Sequence, residues 1–262
     1  MTSRLQKQII YGVGFLVAAV LVVWGTYALF NSASRPPAAT PTPTETFAPV
    51  RIEEVSTVVH TLPAPGFGSI ADVAVRVRNP NLRAGVAEYP VKLILRGGRA
   101  QVLETQTATK YLLPGAVTYI TQLGIPVSEP PTNVEVELQA NPSFITIPAS
   151  VSLPDLNVTF RERTIKNIGN TVLEEQKGVV TNASSLDWQF VEVAGIAVGN
   201  SGAVVGIGKT FVGDLKVGQQ REFTLSWPAT REPIRNVIPD ATTNIYREEN
   251  IVRVLGDPGL LR

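Results

Sequence analysis

Gly199-Asn200-Ser201-Gly202 is the one catalytic-looking pattern in this chain of 262 residues, a serine set in a tight polar turn. A nucleophilic serine needs an imidazole to take its proton and a carboxylate to orient that imidazole. The only histidine, His60, lies 141 residues upstream, and Asp72 or Asp155 would complete a His–Asp–Ser order. The surroundings argue against it. His60 stands in Val58-Val59-His60-Thr61-Leu62, Asp72 is close to it in sequence, and Glu104 is the wrong residue type. His60 is therefore expected to be a strand-end residue with a satisfied hydrogen bond, and no catalytic residue is assigned.

Other groups lead to similar readings. Glu53-Glu54, Glu174-Glu175 and Glu248-Glu249 are neighbours in sequence, so on a strand their carboxylates point to opposite faces. Glycoside hydrolysis needs two carboxyls facing one another across a sugar. Trp227 continues the alternation of Phe223 and Leu225 and is expected in a core, whereas Trp188 follows Asn182-Ala183-Ser184 and is the candidate exposed binding residue. Asn157-Val158-Thr159 and Asn182-Ala183-Ser184 are glycosylation sequons, and Asn182 reads better as the residue closing a strand. With no Cys and 1 His, ligands for zinc, copper, haem or iron–sulfur are nearly absent, so neither metal nor cofactor is expected.

Charge narrows the partners. Residues 50–148 carry 8 basic and 8 acidic residues, and residues 149–262 carry 12 and 13. Neither part has the clustered Lys and Arg that nucleic-acid phosphates require. Zero Cys also means that apolar cores alone must hold the fold together.

The elements that position these groups begin with 22 uncharged residues, Ile9 to Phe30. As a helix they would cover roughly 33 Å, enough for a ~30 Å hydrocarbon core. Ile9, Phe15, Leu16, Val20, Leu21, Trp24 and Phe30 are the predicted membrane-spanning residues, behind a cytoplasmic stub of residues 1–8. Arg4 and Lys7 precede the run, which predicts a cytoplasmic N-terminus and an extracytoplasmic remainder. The competing reading is a cleaved signal peptide, with Ser32-Ala33-Ser34 the nearest small-residue cluster. Residues 31–49 are rich in Pro and Thr and read as an extended spacer.

From Val50 onward the hydrophobic period is two. Asp72–Arg78, Val134–Leu138 and Glu222–Trp227 each alternate, which predicts half-buried strands with one wet face. The pattern also repeats at an offset of 103. Val77-Arg78-Asn79-Pro80-Asn81 recurs as Val180-Thr181-Asn182-Ala183-Ser184, Pro114-Gly115 as Val217-Gly218, Ile120 as Phe223, and Val134 as Val237. Gly97-Gly98 and Asn200-Ser201-Gly202 fall at equivalent places and predict hairpin turns, which makes Ser201 a hairpin tip.

The second copy runs Lys177-Gly178-Val179-Val180-Thr181-Asn182-Ala183-Ser184, Val191-Glu192-Val193, Gly202-Ala203-Val204-Val205, Leu215-Lys216-Val217-Gly218 and Glu222-Phe223-Thr224-Leu225. This order resembles the FxLYD-type domain. It departs from that pattern at Val193–Val198, where the hallmark string is replaced, and at Val217, where the family often has Pro. The resemblance implies an immunoglobulin-like β-sandwich, usually outside a bacterial membrane, and carries no activity with it. The expectation is an all-β chain with two tandem immunoglobulin-like β-sandwich domains, at residues 50–148 and 149–247, behind one transmembrane helix. Thr243–Arg247 reads as a last strand or edge extension, and residues 248–262 as a tail. The expected role is a membrane-anchored, non-catalytic binding or scaffold protein of the cell envelope, with a protein partner there. The alternative is an accessory subunit of a secretion, pilus or transport assembly. A cell-wall-acting enzyme or degenerate serine protease is less favoured.

Overall fold

The computed structural model describes residues 14–28, 46–61, 68–169 and 171–252. Residues 14–28 form helix α1, about 22 Å long at 1.5 Å per residue. Among the described residues no helix is long and apolar enough to cross a membrane. Phe15, Leu16, Val20, Leu21 and Trp24 lie on α1 and are exposed. Ile9 and Phe30, the ends of the predicted span, lie outside the described residues, as do the stub, residues 31–45 of the spacer and the last ten residues.

The unit from Phe47 onward is built of antiparallel strands. Its first half holds β1 (Arg51–Thr61), β2 (Ser69–Arg78), β3 (Ala84–Arg96), β4 (Val102–Leu112), β5 (Val117–Val127), β6 (Asn133–Leu138) and β7 (Phe144–Thr146). The second half holds β8 (Leu156–Ile168), β9 (Thr171–Asn182), β10 (Asp187–Gly199), β11 (Val204–Leu215), β12 (Gln220–Pro228), β13 (Ile234–Thr242) and β14 (Ile251–Val252). The sheet orders are β1-β2-β5 with β4-β3-β6, then β8-β9-β12 with β11-β10-β13. β7 adds to β3 beyond β6, as β14 adds to β10 beyond β13. The predicted repeat is thus present as one strand order used twice.

Each half has its own core. Val73, Val75 and Val77 of β2 meet Val91, Leu93 and Leu95 of β3 between the first two sheets. Between the second two, Phe223, Leu225 and Trp227 of β12 meet Val191 and Val193 of β10. Burying such a side chain stabilises by roughly 1.5–3 kcal/mol, and without disulfides this is the main stabilising term. Both predicted hairpins form. Gly97 N–H donates to Gln101 O at 3.0 Å, and Gly199 N–H to Ala203 O at 2.8 Å.

Two asparagines close the halves in the same way. The Asn79 amide donates to Ala84 O at 2.8 Å and Leu113 O at 2.9 Å. That of Asn182 donates to Leu186 O at 2.8 Å and Leu215 O at 3.1 Å. Each Oδ1 accepts a backbone N–H two residues on, from Asn81 and Ser184. One carboxamide therefore ties the end of one sheet to two strands of the other. Gly115 and Gly218, at φ +65° and +70°, make the facing turns, a conformation that disfavours side chains bearing Cβ.

Two expectations fail. The face of β2 opposite its valines is not wet around Ala74 and Asp72, which are 1 % and 6 % exposed. A second layer of protein covers it. Thr243–Arg247 is not a strand; the chain leaves β13 as a loop, passes a single 3₁₀ turn at Glu248–Asn250 and rejoins the sheet as β14.

Replacing Asn182 by Ala would leave the Leu186 and Leu215 carbonyls without their donor in a dry site. A loss of roughly 2–4 kcal/mol is expected, at 1–3 per unsatisfied group. Urea unfolding measures it, with the exposed Asn157→Ala as a control expected to move by less than about 0.5 kcal/mol.

Candidate functional site

The residues of the catalytic-looking pattern do not converge. Ser201 sits at the β10–β11 turn, where its backbone N–H donates to Glu232 Oε1 and its hydroxyl to Glu232 Oε2 at 3.0 Å. Those two bonds hold the Glu232 carboxyl below its ordinary value, the backbone contribution being the larger. His60 is paired elsewhere, its Nε2 lying 3.0 Å from Asp72 Oδ2. Asp72 seemed too near in sequence to orient His60, but antiparallel pairing of β1 with β2 folds the chain back and makes it the partner. The other Asp72 oxygen accepts the Gly124 N–H at 2.7 Å, beside the register shift in β5. Ser201 and His60 thus belong to two separate hydrogen-bonded pairs, and His60 has the satisfied bond expected of it.

Trp188 is a correction. It is 1 % exposed, the second residue of β10, with its indole N–H donating to Ser184 Oγ at 3.0 Å. The Asn182–Ser184 turn that suggested a loop is the lid over it: Ser184 bonds both Asn182 and Trp188. Asn182 itself is fully buried, so the second sequon is closed to modification in the folded chain. Trp227 is in the core as expected, its indole N–H reaching Glu174 Oε2 at 3.3 Å. Among the described residues no group of three or more His, Asp or Glu could hold a metal ion.

The chemically densest region was not foreseen. The outer face of β1-β2-β5 packs on the outer face of β11-β10-β13, with Val58, Ala74, Tyr119 and Leu123 against Ile196, Val204 and Ile207. Beside this apolar contact lies a half-buried polar cluster. Asp240 of β13 accepts the Tyr119 N–H at 2.7 Å and the Thr118 hydroxyl at 2.8 Å, and Lys110 of β4 pairs with Glu192 of β10. The Tyr246 hydroxyl reaches across from the second half to Leu112 O at 3.0 Å. It lies over Gly85, where a Cβ would fall 1.7 Å from the phenolic oxygen. No family model matches this chain, and no curated protein matches it. The geometry alone therefore says what the region can do.

Burial pushes the Asp240 carboxyl above its ordinary value. Tyr119, Thr118 and Lys110 oppose the shift, and Glu192 adds to it. Burial also raises the Tyr111 phenol, which bonds Thr242 in the same cluster. A largely buried Lys110–Glu192 pair beside the Asp240 carboxyl suits a fixed joint between the halves. On the same face, Phe190, two residues before Glu192, and Phe211, paired with Glu192, stay open at 55 % and 63 % exposure. They are the exposed aromatics that Trp188 was expected to supply. Both were legible only as alternating strand residues, a signal shared with every core position.

Since the folded state holds the Asp240 proton more tightly than the unfolded chain, its contribution is fully present below the unfolded carboxyl value of about 3.9. It is lost as pH rises through the raised folded value. Asp240→Asn should flatten the fall of stability with pH above about 4. Urea unfolding over a pH series measures this, and an unchanged slope would count against it.

Proposed function

We propose that this chain is a membrane-anchored, extracytoplasmic, non-catalytic binding or scaffold protein of the bacterial cell envelope. The observation that carries the reading is an uncharged helix with exposed apolar side chains, preceding in sequence a charge-balanced all-β unit. Phe15, Leu16, Val20, Leu21 and Trp24 of α1 are all more than half exposed, as lipid-facing side chains would be. The uncharged run continues in sequence to Ile9 and Phe30, and Arg4 and Lys7 lie on the side that favours retention in the cytoplasm.

The β unit supports a scaffold role. Two halves with one strand order, each a three-stranded sheet on a four-stranded one, fit the immunoglobulin-like and FxLYD-type reading. The Asn182–Ser184 clamp and the Lys216–Gly218 turn are the features of that resemblance with a clear structural purpose. The joint at Asp240 and Lys110 would keep the halves in one orientation, as a spacer or platform needs. Phe190 and Phe211 offer an apolar contact for a protein partner.

Expressed in a bacterial host, the full chain should sediment with membranes after a carbonate wash, and deleting residues 9–30 should release it. Protease added outside spheroplasts should reach the β unit. Recovery of the intact chain in the soluble cytoplasmic fraction would overturn the reading. An unrelated span of equal length in place of residues 9–30 should preserve function if the helix is only a tether. Loss of function on that exchange would favour an accessory subunit whose helix packs on partner helices.

A further inference from the structure

The contact between the halves joins one face of each, and among the described residues no second sheet covers the two equivalent faces. The outer face of β1-β2-β5 is covered, while that of its equivalent, β8-β9-β12, is open. The outer face of β11-β10-β13 is covered at Ile196 and Ile207 and open at Phe190 and Phe211, while that of β4-β3-β6 carries charged side chains around a buried Ile94. A second copy could dock its β4-β3-β6 face on this chain's β8-β9-β12 face by the geometry already used within the chain. Such a heterologous contact would repeat from copy to copy, as a ring or a filament.

The residues at the equivalent positions oppose this. Ala74 pairs with Thr121 as Lys177 pairs with Thr224, and Tyr119 pairs with Arg76 as Glu222 pairs with Val179. Where the covered face has Ala74 and Tyr119, the open one therefore has Lys177 and Glu222. On the other side, Ala194 and Ile207 correspond to Lys92 and Thr105, and Ile238 corresponds to Glu135. The open faces are laced with ion pairs. Arg161 meets Glu222 at 2.9 Å and Lys177 meets Glu162 at 3.2 Å, while Lys92 meets Glu137 at 3.0 Å and Arg96 meets Glu135 at 2.8 Å. Side chains of these pairs are between 31 % and 81 % exposed, so they remain hydrated now. Docking would strip that water without supplying new partners.

We propose that these charged faces end the face-to-face stack at two halves, so that copies of the chain do not polymerise through the contact that joins the halves within each. The covered contact centres on Ala74, Tyr119, Ile196 and Ile207, with Arg76, Lys110, Glu192 and Asp240 at its margin, whereas the equivalent open faces place Lys177, Glu222, Lys92 and Glu135 around the apolar Val179 and Ile94. Terminal units of stacked repeats need such a polar outer face to remain soluble.

The test converts the open faces into the covered ones, using the full chain in detergent micelles. One variant carries Arg161→Ala, Lys177→Ala and Glu222→Tyr. The other carries Lys92→Ala, Thr105→Ile and Glu135→Ile. Each alone should match the wild type in mass by light scattering, and an equimolar mixture should show a species of about twice that mass. Wild-type chains that crosslink to one another through these faces would overturn the proposal. So would mixed variants that keep the wild-type circular dichroism and yet stay separate. Should either variant not fold, the reverse change decides: Ala74→Lys with Ile207→Thr places open-face residues in the covered contact. It should abolish hydrogen-exchange protection of the Tyr119 amide, and retained protection would overturn the proposal.

Discussion

The packing of one sheet's outer face on another sets the character of this molecule. A β-sandwich usually turns its outer faces to water, and an alternating strand reflects that. Here β2 and β10 are buried on both sides, because Ala74 and Tyr119 meet Ile196 and Ile207 across the joint. Once those faces are dry, the polar groups at their margin must find partners inside the protein. Asp240 takes the edge N–H of β5, Lys110 takes Glu192, and the Tyr246 hydroxyl takes Leu112 O. The halves are thereby bound as one compact unit rather than strung as beads.

Within each half, the absence of disulfides shifts the work of linking sheets to hydrogen bonds. A single buried asparagine at the end of β2 or β9 spans two strands of the opposite sheet. Its side chain has two donors and one acceptor, enough to serve three backbone groups that would otherwise be buried unpaired. In the second half Ser184 extends the clamp to the Trp188 indole. This explains why asparagine stands at both equivalent positions while the neighbouring residues differ.

Much of the scaffold was legible from residue order, because a strand with one apolar face declares itself by alternation. Phe223, Leu225 and Trp227 read as core and are core. The hairpins at Gly97-Gly98 and Ser201 were legible from turn chemistry and from the repeat. Trp188 was misread because the turn before it resembles a loop, and only the Asn182 clamp reveals that turn as a cover for the indole. His60 and Asp72 were separated on sequence distance, yet pairing of β1 with β2 brings them to 3.0 Å. The joint was illegible, since Ala74, Tyr119 and Ile196 look like ordinary outward residues of half-buried strands.

By itself the sequence determined the all-β class, the repeat at about a hundred residues, the uncharged run from Ile9 to Phe30 and the balance of charge. These follow from local rules: side-chain period, turn propensity and the apolar content of a continuous segment. Tertiary structure alone decided which outer faces are covered, which ionisable groups lose their water and which aromatic residues remain exposed. Those outcomes depend on contacts between strands more than a hundred residues apart, such as Thr118 with Asp240. No local pattern records them, because the same alternating strand serves whether its far side meets water or another sheet.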